Sequence, residues 1–195
     1  MANADAAFGL KPVQYLDGSP YNGQCRVYYV PSSDSTAIFK GDAVTLAGSA
    51  DSSGMYPSVT QAAAGNTIAG VVVGFGNTPQ LAADVTTLSR KYRPASTEMY
   101  VFLADDPNIV FACQEDSGGG DLAATSVGLN ADVVVGSGST VTGKSHMEID
   151  TSDATTDSCQ LTILGLADMD NNAIGSNANW LVKICEHQHT STTGA

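Results

Sequence analysis

Residues 92–117 read Tyr92-Arg-Pro-Ala-Ser-Thr-Glu-Met-Tyr-Val-Phe-Leu-Ala-Asp-Asp-Pro-Asn-Ile-Val-Phe-Ala-Cys-Gln-Glu-Asp-Ser117. Two apolar runs, Met99 to Ala104 and Ile109 to Cys113, flank Asp105-Asp-Pro-Asn108. Both runs are rich in β-branched and aromatic residues and too short for a stable helix, so they read as strands. Pro107 presets φ, and Asp106 and Asn108 can bond their own backbone, which is turn chemistry. Four connecting residues suit a hairpin. The near-continuous apolar character implies that both faces of each strand are covered. The stretch is expected to be the central hairpin of an all-β core.

Working outward, Cys25 to Val30, Phe39 to Leu46, Tyr56 to Ala62 and Thr67 to Phe75 precede it as strands, and Asp132 to Val135, His146 to Asp150, Cys159 to Leu166 and Trp180 to Glu186 follow. Glycines at 70, 74 and 76 predict a curved or bulged strand. Gly136-Ser-Gly-Ser and Thr142-Gly143 punctuate a hairpin between two of the later strands. Short helical pieces are expected over 80–88 and 122–129. Strands at roughly 8–15-residue spacing point to an all-β fold: a single jelly-roll-like β-sandwich or a small barrel, with extended arms at both ends. The predicted organisation is an extended N-terminal arm over 1–24, a β-rich core over 25–186 and a polar tail over 187–195.

At 195 residues the chain is long enough to bury one self-sufficient core. Charged residues make up only 14%, against the usual ~25%, and the net charge is −12. Such a surface repels nucleic acid and anionic membranes, and the one basic cluster, Arg90-Lys91-Arg93, reads as a solvated face or a protein contact. The first residues carry neither the basic nor the apolar region of a secretory signal, and no apolar run reaches membrane-spanning length. Cysteines at 25, 113, 159 and 185 form no C-x-x-C and are expected as buried, reduced thiols of a protein made in a cytoplasm.

The search for chemistry returns little. No serine sits in a G-x-S-x-G elbow, and His146, His187 and His189 are the only imidazoles available as bases. His187 and His189 share a face of an extended segment and would ligate a metal only with a third group; they read as solvated or partner-contacting. Asp168 to Gly175 places glycine wrongly for a calcium loop and reads as an Asn-rich connection. Neighbours in the pairs Asp105/Asp106 and Glu115/Asp116 point to opposite faces, and the pairs read as loop and hairpin-end charges. No catalytic residue, cofactor site or metal site is expected.

An ordered set of motifs does stand out. It runs through Ala4-Asp-Ala-Ala-Phe-Gly-Leu-Lys-Pro-Val13, Gly18-Ser-Pro-Tyr-Asn-Gly23, Phe39-Lys-Gly-Asp-Ala-Val-Thr-Leu46 and Ile68-Ala-Gly-Val-Val-Val-Gly74. It continues with Tyr92-Arg-Pro-Ala-Ser-Thr97, Ala104-Asp-Asp-Pro-Asn108, Gln114-Glu-Asp-Ser117, Val127-Gly-Leu-Asn-Ala131 and Trp180-Leu-Val-Lys-Ile184. Together these resemble the capsid decoration, or cement, proteins of tailed bacteriophages, in the same order over most of residues 3–186. The tail from His187 and the four cysteines fall outside the resemblance.

The resemblance implies a non-enzymatic virion protein on the outer face of the head. It would act as a homotrimer that bridges subunits of the major capsid protein, without contacting nucleic acid or membrane directly. For the capsid-facing contact, Phe8, Leu10, Pro12, Val13 and Tyr15 form an apolar set with no obvious place in the strands. Deleting residues 2–15 is accordingly expected to leave a folded protein that no longer binds heads. The alternatives are another virion role, in the tail or in head completion, or a host-surface binding module.

Overall fold

The computed structural model of the chain describes residues 3–79 and 90–190, so the helical piece expected over 80–88 lies outside the described residues. The strands are β1 (Lys11–Tyr15), β2 (Arg26–Val30), β3 (Ile38–Phe39), β4 (Ala43–Ala50), β5 (Pro57–Gln61), β6 (Gly70–Gly76) and β7 (Tyr92–Arg93). They continue with β8 (Met99–Ala104), β9 (Ile109–Gln114), β10 (Asn130–Ala131), β11 (Val133–Gly136), β12 (His146–Ile149), β13 (Leu161–Leu166) and β14 (Asn179–Ile184). The helical piece expected over 122–129 is a single 3-10 turn, Ala124–Ser126.

The fold is all-β and combines a closed barrel with an open sheet. Strands β2-β5-β4-β6-β8 close the barrel, and β1-β9-β14-β13-β10 form a five-stranded sheet. Ribbons β11–β12 and β3–β7 complete it. Alternation along β2 and β8 sends Tyr28, Val30, Met99, Val101 and Leu103 into the barrel, where Val44, Val59, Val72 and Phe75 meet them. Each large side chain so buried contributes roughly 1.5–3 kcal/mol. The bend that the glycines predict lies in β6, whose register against β8 shifts between Val72 and Gly74. Gly76 makes room for an aromatic ring there: a Cβ would sit 2.9 Å from Cζ of Phe102.

The expected central hairpin is not one. β8 pairs with β2 and β6 inside the barrel, whereas β9 pairs with β1 and β14 in the sheet. The turn chemistry itself is present, since Asn108 N–H donates to Asp106 Oδ1 at 2.8 Å. What differs is the destination. Asp105 is buried and held on the barrel side by Arg26 and Tyr28, so the chain crosses between layers. Apolar character on both faces matches the burial: all six residues of β9 and five of the six in β8 are buried. Local pattern does not choose between returning and crossing.

A second core fills the space between the sheet, the β11–β12 ribbon and one flank of the barrel. Phe111, Trp180 and Val182 from the sheet meet Val133, Met147 and Ile149 from the ribbon, and Ala43, Ile68, Val71 and Ala104 from the barrel side. Polar side chains join the layers. Gln160 donates to Ala63 O and Asn66 O at 2.9 and 2.7 Å and accepts from Val133 N at 3.0 Å. Arg93 is fully buried and donates to the carbonyls of Thr97, Thr36, Pro31 and Asp34 at 2.6–2.9 Å. It is therefore a clamp on two loops, not part of a solvated basic face.

Both terminal segments are stitched into the fold. β1 pairs with β9, and Leu10 is buried in the second core, so the described part of the N-terminal segment, residues 3–24, is not a free arm. Tyr15 N–H donates to Ser19 O and Tyr21 N–H to Val13 O, folding the following turn against the outer edge of β1. This covers an edge that would otherwise template pairing. At the other end, Ile68 N–H donates to Glu186 O and Gln188 N–H to Ile68 O, which docks the start of the polar tail on the barrel. All four cysteines are free thiols; Cys113 and Cys159 are buried as expected, but Cys185 is exposed and Cys25 half-buried.

Candidate functional site

The densest polar cluster lies where the crossing, the barrel and the tail meet. Asp105, at the end of β8, accepts from Tyr28 Oη at 2.7 Å and pairs with Arg26 Nε at 2.6 Å. The Tyr28 hydroxyl also lies 2.9 Å from His189 Nε2, and that nitrogen is 3.7 Å from Asp105 Oδ2. His187 is almost fully buried, its Nδ1 accepts the His189 N–H at 3.2 Å, and its Nε2 has no partner. Burial, then the neighbouring His189 ring, holds the His187 imidazole down at about 4, so it is neutral at physiological pH. Burial and the Asp105 bond push the Tyr28 phenol well above its ordinary value. Neither ring supplies a nucleophile. The cluster is an ionic clasp that ties the tail and β2 to the crossing.

Of the two tail histidines, expected to be solvated or partner-contacting, His187 is buried, whereas His189 stays exposed. His187 packs on the barrel, and His189 reaches the Tyr28–Asp105 pair. The sequence signal that marks them is the alternation of Glu186-His-Gln-His189 continuing from β14, since Gln188 faces away and accepts from Leu46 N at 2.7 Å. Asp105 and Glu115 lie directly after the ends of β8 and β9, but both are buried. Glu115 accepts from Trp180 Nε1 at 2.8 Å and Leu122 N at 3.1 Å, and burial raises its carboxyl above the usual range. Asp116, on the opposite face, accepts from Thr151 N and Oγ1.

Among the described residues one other group of potential metal ligands converges. Asp132, Asp153 and Cys159 bring ligand atoms within 4.8 Å of one another. Asp132 Oδ1 already accepts the Gln160 N–H at 3.0 Å. Burial, then Asp132 and Asp153, push the Cys159 thiol up to about 11. The Asn-rich connection behaves as its composition predicts: Asn171 and Asn177 take positive φ, and Asn172 bonds the carbonyls of Ala167 and Asn179. No described helix is long and apolar enough to cross a membrane.

The apolar N-terminal set divides. Leu10 points into the second core at 1% exposure, while Phe8, Pro12, Val13 and Tyr15 are half-buried. Deletion of residues 2–15 would remove a strand and a core side chain, so the expectation that it leaves the fold intact is corrected. Phe8 and Pro12, with Leu10 beneath, line one wall of a groove of about 460 Å³ that also takes in Lys40, Gly41, Val72, Val73, Lys144 and Met169. Tyr15 instead borders a polar cleft with Cys25, Arg26, Asp105 and Asn108. Comparison of the chain with protein-family models, with curated proteins and with solved structures returns no match.

Proposed function

We propose that the chain is a non-catalytic structural protein of a tailed-phage head. In this reading it decorates the outer face of the shell as a trimer and bridges neighbouring subunits of the major capsid protein. The observation that carries the reading is where the resemblance-bearing motifs fall. Ile68 to Gly74 leads into and forms most of β6, and Tyr92-Arg-Pro supplies the buried Arg93 clamp. Ala104 to Asn108 makes the crossing between layers. Gln114 bonds Ala4, Ala6 and Asn177 and so pins the N-terminal segment to the sheet. An ordered motif set spread over the joints of a whole framework fits a protein whose working part is its surface.

The physical case is mass action. A protein that binds the expanded shell, and not its precursor, stabilises the shell by its binding free energy at every site. A trimer adds avidity, because docking of one subunit raises the effective concentration of the other two. The outer surface supplies the contact chemistry: it is poor in charge, and Met55, Val141 and Ile174 are large apolar side chains open to solvent. The test is co-sedimentation of purified protein with expanded heads that lack it. The expected result is saturation at a fixed ratio to capsid subunits. Self-assembly into rings or tubes without head binding would move the role to the tail or connector.

A further inference from the structure

The lysine-rimmed groove is an apolar concavity whose cations form no ion pair among the described residues. Its floor is built by two segments of the chain, around Gly9 and Gly41, crossing backbone to backbone. Leu10 N–H donates to Gly41 O at 2.9 Å, and Gly9 and Gly41 hold φ of +75° and +95°. A Cβ on either glycine would run into the other segment's backbone, so only glycines permit the crossing. Gly41 N–H donates in turn to Val72 O at 2.8 Å, fixing the floor to β6. Phe8, Pro12, Val73 and Met169 then supply an apolar lining that is only partly covered.

The rim is cationic. Lys11, Lys40 and Lys144 line the groove, three of the eight basic residues in a chain of net charge −12. Lys40 and Lys144 face each other across a parallel bridge, held by Lys40 N–H to Gly143 O and Ser145 N–H to Lys40 O. Like charges placed opposite each other are unfavourable unless something anionic lies between them. Among the described residues no carboxylate comes within 4.0 Å of any of the three ammonium groups. Asp168 and Asp170, which flank Met169, are exposed and make no such pair. Elsewhere the buried cation Arg93 and the clasp cation Arg26 do have carboxylate partners.

We propose that this groove docks an extended acidic segment of the capsid protein, with its apolar side chains on the floor and carboxylates at the lysines. The proposal rests on the head-binding reading and names the contact through which binding occurs. Charge selects the occupant, because a cationic rim in an anionic surface concentrates acidic peptide there and repels it elsewhere. The apolar floor argues against a phosphodiester backbone, which has nothing to place on it. A preformed floor keeps the ordering cost of docking small.

The test compares two full-length variants with the same change in net charge: Lys40→Glu/Lys144→Glu in the groove and Arg90→Glu/Lys183→Glu outside it. Thermal melting of both checks that they fold. In co-sedimentation with heads the groove variant is expected to bind about tenfold or more weakly than the control, with a shallower dependence on salt. A photo-crosslinking residue in place of Val73 is expected to capture a capsid-protein peptide that carries Asp or Glu. Equal binding of the two variants, or crosslinks to a second copy of this chain alone, would overturn the groove while leaving head binding intact. Failure of the wild-type protein itself to sediment would overturn both.

Discussion

The barrel and the sheet solve one problem in two ways. The barrel has no edge, because β8 returns to β2 over Arg26–Val30 and hydrogen bonds close the circle. Its interior is filled by alternating residues of its own strands. The sheet has two edges, one formed by β1 near the N-terminus and one by the two-residue β10. It is completed by chain segments far apart in sequence and by polar joints: Gln114, Glu115, Gln160 and the tail. Both bring distant segments together, but the barrel closes on its own strands, whereas the sheet leaves edges that other segments cover. The proposed docking groove lies where the two meet, lined by Phe8, Lys11 and Pro12 from the N-terminal segment and by Val72 and Val73 from β6.

That contrast can be broken most severely at the barrel's clamp. Arg93→Ala leaves four carbonyls and Asp34 without their donor in a buried site, a loss of about 3 kcal/mol or more. Arg93→Lys should recover little, since an ammonium cannot span the same carbonyls. Urea unfolding followed by the buried Trp180 measures both, and a loss under about 1 kcal/mol for Arg93→Ala, the cost of one ordinary hydrogen bond, would deny the clamp.

At the sheet, Leu10→Ala should cost about 2–5 kcal/mol, the range for an aliphatic side chain removed from a packed core. Val13→Ala, on the same strand but half-buried, should cost less than ~1.5 kcal/mol. Equal losses at the two positions would mean that the N-terminal segment packs as a whole and not through Leu10.

pH separates the regions with opposite signs. His187 has an ordinary value of 6.5 and a folded value of about 4, so the unfolded chain binds its proton first. Its stabilising effect is complete above pH 6.5 and is lost as pH falls toward 4, by up to ~3 kcal/mol. Glu148, on the ribbon, is raised from 4.5 to about 7, by burial first and then by Asp5 and Asp116. It favours the fold at low pH and loses that advantage as pH rises through 4.5 to 7. Melting curves of His187→Asn and Glu148→Gln against wild type should diverge in opposite directions across this range. Parallel curves would contradict both burials.

The smallest effect is kinetic. In the native protein a thiol reagent should modify Cys185 first and Cys25 more slowly, while Cys113 and Cys159 wait for unfolding. Burial pushes the Cys113 thiol far above its usual value, which adds to its protection. Native-state labelling of Cys113 at the rate of Cys185 would show that the sheet opens readily.

Much of this was legible in the residues. The strands at 26–30, 70–76, 99–104, 109–114 and 179–184 follow from β-branched and aromatic runs, and the β6 bend from its glycines. The β11–β12 hairpin follows from Gly136-Ser-Gly-Ser. Pairing between distant segments was not legible, because a four-residue turn serves a hairpin and a layer crossing equally. Neither was the burial of Arg93, Asp105, Glu115 and His187, since a charged or imidazole side chain looks the same whether its partners are water or carbonyls. The groove was half visible: Phe8 and Pro12 stood out as unplaced apolar residues, but Lys40 and Lys144 join them only through the fold.

The proposed cement role requires that the protein strengthen a shell and not merely adhere to one. The direct measurement is the temperature at which DNA leaves heads lacking the protein, before and after saturation with it. The account predicts a clear rise on wild-type addition and little change with Lys40→Glu/Lys144→Glu. An unchanged release temperature at saturating wild-type occupancy would contradict it.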